Sequence, residues 1–283
     1  MENRKKRLTV ILLLVMLLYG SCGKLDPIGF LYSTNPVNER VQQSLEWNKL
    51  HPVQDILVSG TSYTLVVAAD SHVGGTVNLD ALITEANRPA NSGLVMVGDL
   101  TTGNKEDFVT FKQELDSKNS GPAFLMTGNH DLFFHGWDTY YEYFHTSTYS
   151  FKVSNNGTSD LFICLDSGGG TLGWRQIEWL KDLLIKERQF NRYRVLFTHV
   201  NFFREHRTSS TNPLVDELRA IMDICHTYSI DMVVMGHDHN RAESVFGKTR
   251  FVTLDALSDD FDKPSYLKLQ VKESGLETTF VEI

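Results

Sequence analysis

Five short clusters along the chain carry side chains able to bind metal ions: Asp70-Ser71-His72, Gly98-Asp99, Gly128-Asn129-His130-Asp131, Thr198-His199 and Gly236-His237-Asp238-His239. Together they mix hard oxygen donors with imidazole nitrogen, a set suited to Mn, Fe, Zn or Co rather than to Ca or Mg alone. Asp70, His72, Asp99, Asn129, His199, His237 and His239 exceed the four donors of a single tetrahedral metal. They suit two ions, with Asp99 bridging. Two ions roughly 3.5–4 Å apart clamp the attacking and leaving oxygens of an in-line displacement, and they acidify a shared water into hydroxide near neutral pH.

Most of these clusters follow an apolar run that reads as a buried strand: Leu65 to Ala69, Leu94 to Val97, Val195 to Phe197 and Met232 to Met235. A further short strand, Ala123 to Met126, leads to Gly128. Between the strands, apolar residues recur at helical spacing. Lys105 to Asp116 carries Phe108, Phe111 and Leu115 on one stripe, and Trp174 to Lys186 carries Trp174, Ile177, Leu180 and Leu184. Leu79 to Ala86 and Pro213 to Tyr228 are also predicted as helices, the latter capped by Asn212. Before them, Asn38 to Leu50 reads as a helix with Val41 and Leu45 inward, stopped by Pro52. Strands alternating with helices predict a layered α/β domain. Ligands in such domains collect beyond the carboxyl ends of the strands, where the clusters fall. The aromatic stretch from Phe133 to Tyr149 is expected to be a satellite core over an insertion rather than a base-stacking surface.

The 283 residues carry a formal net charge of -8. That balance argues against binding duplex nucleic acid, which calls for a basic face. At the N-terminus, Arg4, Lys5, Lys6 and Arg7 precede an apolar run from Leu8 to Leu18, then Tyr19-Gly20-Ser21-Cys22. This is the pattern of a secretory signal, too short for a span of ~20 apolar residues. The segment resembles the lipobox of bacterial lipoproteins, which implies lipidation of Cys22; a plain secretory signal is the alternative. The expected organisation is a signal over residues 1–21, a lipidated tether and helix over 22–60, and a catalytic domain over 61–283. The expected place is the cell envelope, anchored by lipid at a periplasmic or outer-membrane face. Cys164 and Cys225 read as buried hydrophobes.

In order and spacing, the clusters resemble the calcineurin-like metallophosphoesterases. Their pattern runs Asp-x-His, Gly-Asp, Gly-Asn-His-Asp/Glu, a histidine after a strand, and Gly-His-x-His. The resemblance implies a four-layer α-β-β-α sandwich and two divalent or trivalent metal ions. One would be held by Asp70, His72, Asp99 and His239, the other by Asp99, Asn129, His199 and His237. His130 would be catalytic, stabilising charge on the phosphate and protonating the leaving oxygen, with Asp131 beside it. Thr102 is a departure, because many members carry there an aspartate that orients the catalytic histidine; the partner of His130 is left open. Arg204 and Arg207, in the loop after His199, are either phosphate clamps or a solvated basic loop. The implied activity is hydrolysis of a phosphomonoester or phosphodiester, on a phosphorylated small molecule or an envelope component. The alternative is an exported metal-binding or partner-binding module on the same scaffold.

Overall fold

A computed structural model describes residues 35–155, 157–187, 189–204 and 214–283. The signal segment, Cys22 and Arg207 lie outside the described residues. Among those described, no helix is long and apolar enough to cross a membrane.

The central strands are apolar on both faces, and their alternation sorts residues into different cores. In β2 (Tyr63–Ala68) and β3 (Gly93–Val97), Leu65, Val67, Val95 and Val97 point into a central core, while Val66, Ala68, Leu94 and Met96 point the other way. In β6 (Ser159–Leu165), Phe162 and Cys164 enter that same central core, and Leu161, Ile163 and Leu165 face outward. The central core therefore lies between two sheets stacked face to face. Each outer face is covered by helices. The result is a four-layer α-β-β-α sandwich.

One sheet has five strands in the order β12-β11-β2-β3-β4, with β4 at Ala123–Met126, β11 at Ser265–Lys272 and β12 at Gly275–Glu282. Its outer face is covered by α2 (Val77–Ala86), α3 (Lys105–Lys118) and α4 (Gly136–Phe144), through Leu79, Leu82, Phe108, Phe111, Trp137 and Tyr140. The aromatic stretch is thus largely core. The other sheet has seven strands in the order β1-β5-β6-β7-β8-β10-β9. Here β1 is Ile56–Leu57, β5 Tyr149–Ser154, β7 Arg194–Thr198, β8 Met232–Met235, β9 Ala242–Phe246 and β10 Thr249–Thr253. Leu180 and Leu184 of α5 (Gly173–Glu187) and Ile221 and Ile224 of α6 (Val215–Thr227) cover it. The described part of α6 begins at Val215; Asn212 and Pro213 lie outside the described residues.

The N-terminal helix α1 (Val37–Leu50) belongs to this domain. Its buried residues are Arg40, Val41 and Ser44, while Leu45 is only partly buried, so the inward face is rotated toward a charged residue. Arg40 forms a bidentate pair with Asp166, Nε to Oδ2 at 2.7 Å and Nη2 to Oδ1 at 2.9 Å. Strand β1 pairs in parallel with β5 and extends the seven-stranded sheet. A boundary at residue 61 would cut through both contacts; α1 and β1 are built into the same domain as the clusters.

Candidate metal centre

Three adjacent parallel strands of one sheet, β2, β3 and β4, end in Asp70, Gly98-Asp99 and Gly128-Asn129. Two adjacent parallel strands of the other, β7 and β8, end in His199 and Gly236-His237. Because the sheets stack with these ends on the same side, the five clusters converge at one edge of the sandwich. Asp70 and Asp99 lie at the bottom, 0% and 1% exposed. Around Asp99 Oδ2 stand His199 Nε2 at 3.3 Å, His72 Nε2 at 3.7 Å and His130 Nε2 at 4.0 Å. Around Asp70 Oδ1 stand His239 Nε2 at 3.2 Å, His72 Nε2 at 3.9 Å and His199 Nε2 at 4.0 Å. His72 and His239 face each other at 3.2 Å, and Asn129 Oδ1 lies 3.2 Å from His199 Nε2. The donor atoms of Asp99, His199 and His237 also fall within 4.8 Å of one another.

These separations fit shared cations. Donors held about 2.1 Å from one ion sit roughly 3–3.5 Å apart when bond angles are near tetrahedral. The electrostatics make the same demand. Among the described residues, the ion-pair partners of Asp70 and Asp99 are histidines alone, and buried carboxylates need compensating positive charge. Burial resists charge on Asp99, yet His199 beside it holds the carboxyl well below its usual range. Burial likewise resists charge on His199, but Asp99 and Asp70 raise that imidazole to about 10. Burial lowers His72, and burial with the neighbouring His199 takes His237 down to about 3. The carboxylates thus draw positive charge inward, the charge that a bound cation would supply in place of the proton on His199. The Nδ1–H of His199 donates to the Val97 carbonyl at 2.8 Å, leaving Nε2 directed at Asp99.

The backbone is strained where these donors sit. Asp70, His72, Asp99, His237 and His239 all have positive φ, at 57°, 39°, 50°, 75° and 51°. Non-glycine residues seldom adopt such values, and their clustering marks a functional site held by its surroundings. Gly98, with φ +83°, is needed for a second reason. A Cβ there would stand 2.6 Å from His199 Nδ1 and 2.7 Å from the Gly128 amide nitrogen. Gly98→Ala is therefore expected to displace His199 and to lower metal affinity by about 10-fold or more, a loss typical of disturbed ligand support. Equilibrium metal titration against a chelator would measure it, with circular dichroism to verify folding.

His130 is more open than the buried donors, although a nitrogen of its ring, one of His72 and a carboxylate oxygen of Asp99 also fall within 4.8 Å of one another. Its side chain is 37% exposed, and its ring leans on His72 and Phe133 at centroid distances of 4.4 and 4.7 Å. Its backbone N–H donates to Asp99 Oδ1 at 2.8 Å, which fixes the turn without occupying the ring. Asp131, expected beside it as a catalytic group, faces the other way. Its fully buried carboxylate accepts from the backbone N–H groups of Leu100, Thr101 and Gly128 and from the Thr101 hydroxyl, all between 2.9 and 3.1 Å. Burial and the nearby Asp99 push its pKa up to about 7. Asp131 is a brace joining the loops after β3 and β4. Thr102 is likewise turned away, with its hydroxyl on Asp107 and Asn104.

The sequence model of the calcineurin-like phosphoesterase family matches residues 63–241. The chain belongs to that family. Comparison with curated proteins finds no match. Solved structures share the fold at low identity. The GAP50 anchor in the inner membrane complex of Plasmodium has a TM-score of 0.62 and 10% identity, over 79% of this chain and 85% of that one. A dimetal phosphatase from Danio rerio has a TM-score of 0.57 and 12% identity, over 78% and 98%. A Thermus thermophilus protein, TT1561, has a TM-score of 0.51 and 13% identity, over 77% and 99%. Likeness at these identities speaks for the fold alone.

In this phosphoesterase, Arg204 is engaged within the protein. Its Nε donates to Asp238 Oδ1 at 2.8 Å, and Asn201 Nδ2 donates to Asp238 Oδ2 at 2.8 Å. The pair fastens the loop after His199 to the loop bearing His237 and His239. Sequence reasoning passed over Asp238 as the variable residue between two histidines and over Arg40; it noted Leu165-Asp166-Ser167 as a detail of the resemblance but gave Asp166 no role. Behind the centre, Ser167 Oγ accepts from Thr198 Oγ1 and Val200 N, and Gly168 lies against the Gly128 carbonyl. The Asp166–Gly168 loop therefore backs both the His199 and the Gly128 loops. Its signal in the sequence was one aspartate after a strand, which says nothing about a partner 126 residues away.

Proposed function

We propose that this phosphoesterase hydrolyses phosphomonoesters or phosphodiesters at a two-metal centre shared through Asp99. The observation that carries this is a pair of buried carboxylates, Asp70 and Asp99, compensated by histidines whose donor atoms lie at metal-sharing distances. Asp70, His72 and His239 would hold one ion, His199, His237 and Asn129 the other, with Asp99 common to both. Bound there, the ions would supply Lewis-acid polarisation of the phosphoryl group and a more acidic water for in-line attack. His199, fixed by the Val97 carbonyl, would offer its other nitrogen to the ion. His130, 37% exposed at the mouth, would be left free of ligand duty, and there it would stabilise charge on the phosphoryl group and hand a proton to the leaving oxygen.

His130→Ala is expected to lower kcat by about 10²–10⁴-fold, the usual worth of a general acid–base group. Metal content should stay at the wild-type level, and its loss would mean that His130 is a ligand after all. The activity itself is tested by stripping the protein, reloading it with Mn, Fe, Zn or Co, and assaying p-nitrophenyl phosphate and bis(p-nitrophenyl) phosphate. Metal-dependent turnover of either ester supports the proposal. Protein holding two ions but inert on both would favour the metal-binding or partner-binding module instead. The basic start, apolar run and Cys22 support an exported, lipid-anchored enzyme acting on a phosphorylated small molecule or envelope component.

A further inference from the structure

Beside the metal centre lies a cavity of about 510 Å³, with His237 and His239 among its lining residues. We propose that it seats a nucleoside as the alcohol portion of the ester, so that the enzyme acts on nucleotides. This rests on the phosphoesterase reading above and adds the substrate class.

Position comes first. A group in this cavity lies directly against two of the proposed ligands, where the non-phosphate part of an ester must go. Its volume falls within the roughly 300–1,000 Å³ of small-molecule sites. Shape comes second. Phe203, 41% exposed, lines the cavity, and the buried Phe251 meets its ring edge-on at 4.8 Å and 87°. A half-open aromatic ring held in one orientation is a stacking platform for a planar group.

Charge decides the class. Among the described lining residues there is one guanidinium, Arg204, and one carboxylate, Asp238, and these are paired at 2.8 Å. Away from the histidines, the described part of the wall is close to neutral. It offers an uncharged alcohol polar and aromatic contacts, with no surplus charge among these residues to draw a polyanionic one. Asn201, Asn240 and Thr253 add amide and hydroxyl groups that can match the polar edges of a base and a ribose. A neutral planar heterocycle with polar edges meets all three conditions. A short aliphatic alcohol such as glycerol would leave the ring unused.

The test compares Mn-loaded full-length protein with Phe203→Ala and Phe203→Trp, using adenosine 5′-monophosphate and glycerol 3-phosphate as substrates and p-nitrophenyl phosphate as a generic reporter. The wild type should prefer the nucleotide. In Phe203→Ala the ratio of kcat/KM for nucleotide over glycerol phosphate should fall by about tenfold or more, within the range of a lost base–aromatic stack. Phe203→Trp should keep the preference. In parallel, saturation-transfer NMR should detect adenosine itself bound to metal-free wild type, with the signal lost in Phe203→Ala. Adenosine binding without turnover of any ester would overturn the hydrolase reading and leave the cavity assignment standing. Turnover of p-nitrophenyl phosphate with no adenosine binding, or an unchanged ratio in Phe203→Ala, would overturn the cavity assignment alone.

Discussion

Asp99→Asn should empty the metal centre and lower hydrolysis by at least about 10³-fold, beyond the loss of a single charge-stabilising group. Asp99 is 1% exposed, and its Oδ2 lies 3.3 Å from His199 and 3.7 Å from His72, one from each proposed ligand set. The amide keeps the shape but removes the negative charge that both ions would share. It also turns donor hydrogens toward histidine nitrogens, or else toward the His130 N–H that Oδ1 now accepts at 2.8 Å. Either orientation leaves one side mismatched. Elemental analysis after gel filtration, with initial rates on p-nitrophenyl phosphate, measures both quantities. Full occupancy of two ions in this variant would show that the carboxylate does not serve both.

Arg40→Met should be the most destabilising single change outside the centre. Arg40 and Asp166 are 2% and 0% exposed, and the guanidinium also donates to the Asn35 carbonyl at 2.6 Å. Removing one partner strands a buried carboxylate, at a cost of about 3–5 kcal/mol. At roughly 2–4 °C per kcal/mol for a chain of this size, thermal unfolding should move down by about 10 °C. The double variant Arg40→Met with Asp166→Leu should recover most of that, because an apolar pair of similar volume replaces the ion pair without stranding a charge. Because the Asp166–Gly168 loop backs the His199 and Gly128 loops, the single variant should also bind metal more weakly. Scanning calorimetry of wild type, both single variants and the double variant completes the cycle. A loss under about 1 kcal/mol, the usual value for an exposed pair, would contradict its burial.

Much of the centre was legible in the chain because its information is local. An apolar run ends, and an aspartate, an asparagine or a histidine follows within three residues. That repetition at β2, β3, β4, β7 and β8 sufficed to nominate the donors that the structure brings together around Asp70 and Asp99. Helix positions were legible for the same reason: apolar spacing marks the buried stripe of α3 and, along α5, Leu180 and Leu184, whereas Trp174, expected on that stripe, is 55% exposed at the first turn.

What escaped depends on residues far apart in sequence. Arg40 reads as part of a polar helix face until Asp166, 126 positions on, is packed beneath it. Asp131 sits next to His130 in the chain, yet the turn it occupies aims the two side chains apart, one into the backbone of the β3 loop and one outward. Arg204 reads as a cation available for phosphate, and only the fold brings Asp238 to its Nε.

By itself, the sequence determined the order of the candidate donors along the chain and their place at the strand ends, and with them the family. The tertiary structure decided which of them face which carboxylate, that the Asp131 carboxylate is spent on the backbone of the β3 and β4 loops, and that the helix before the first cluster packs onto the same domain. The physical reason is the stacking of two sheets. Each strand-end motif is specified within a few residues, but the 3–4 Å distances that make a centre out of five of them exist only once both sheets present their carboxyl ends to the same edge.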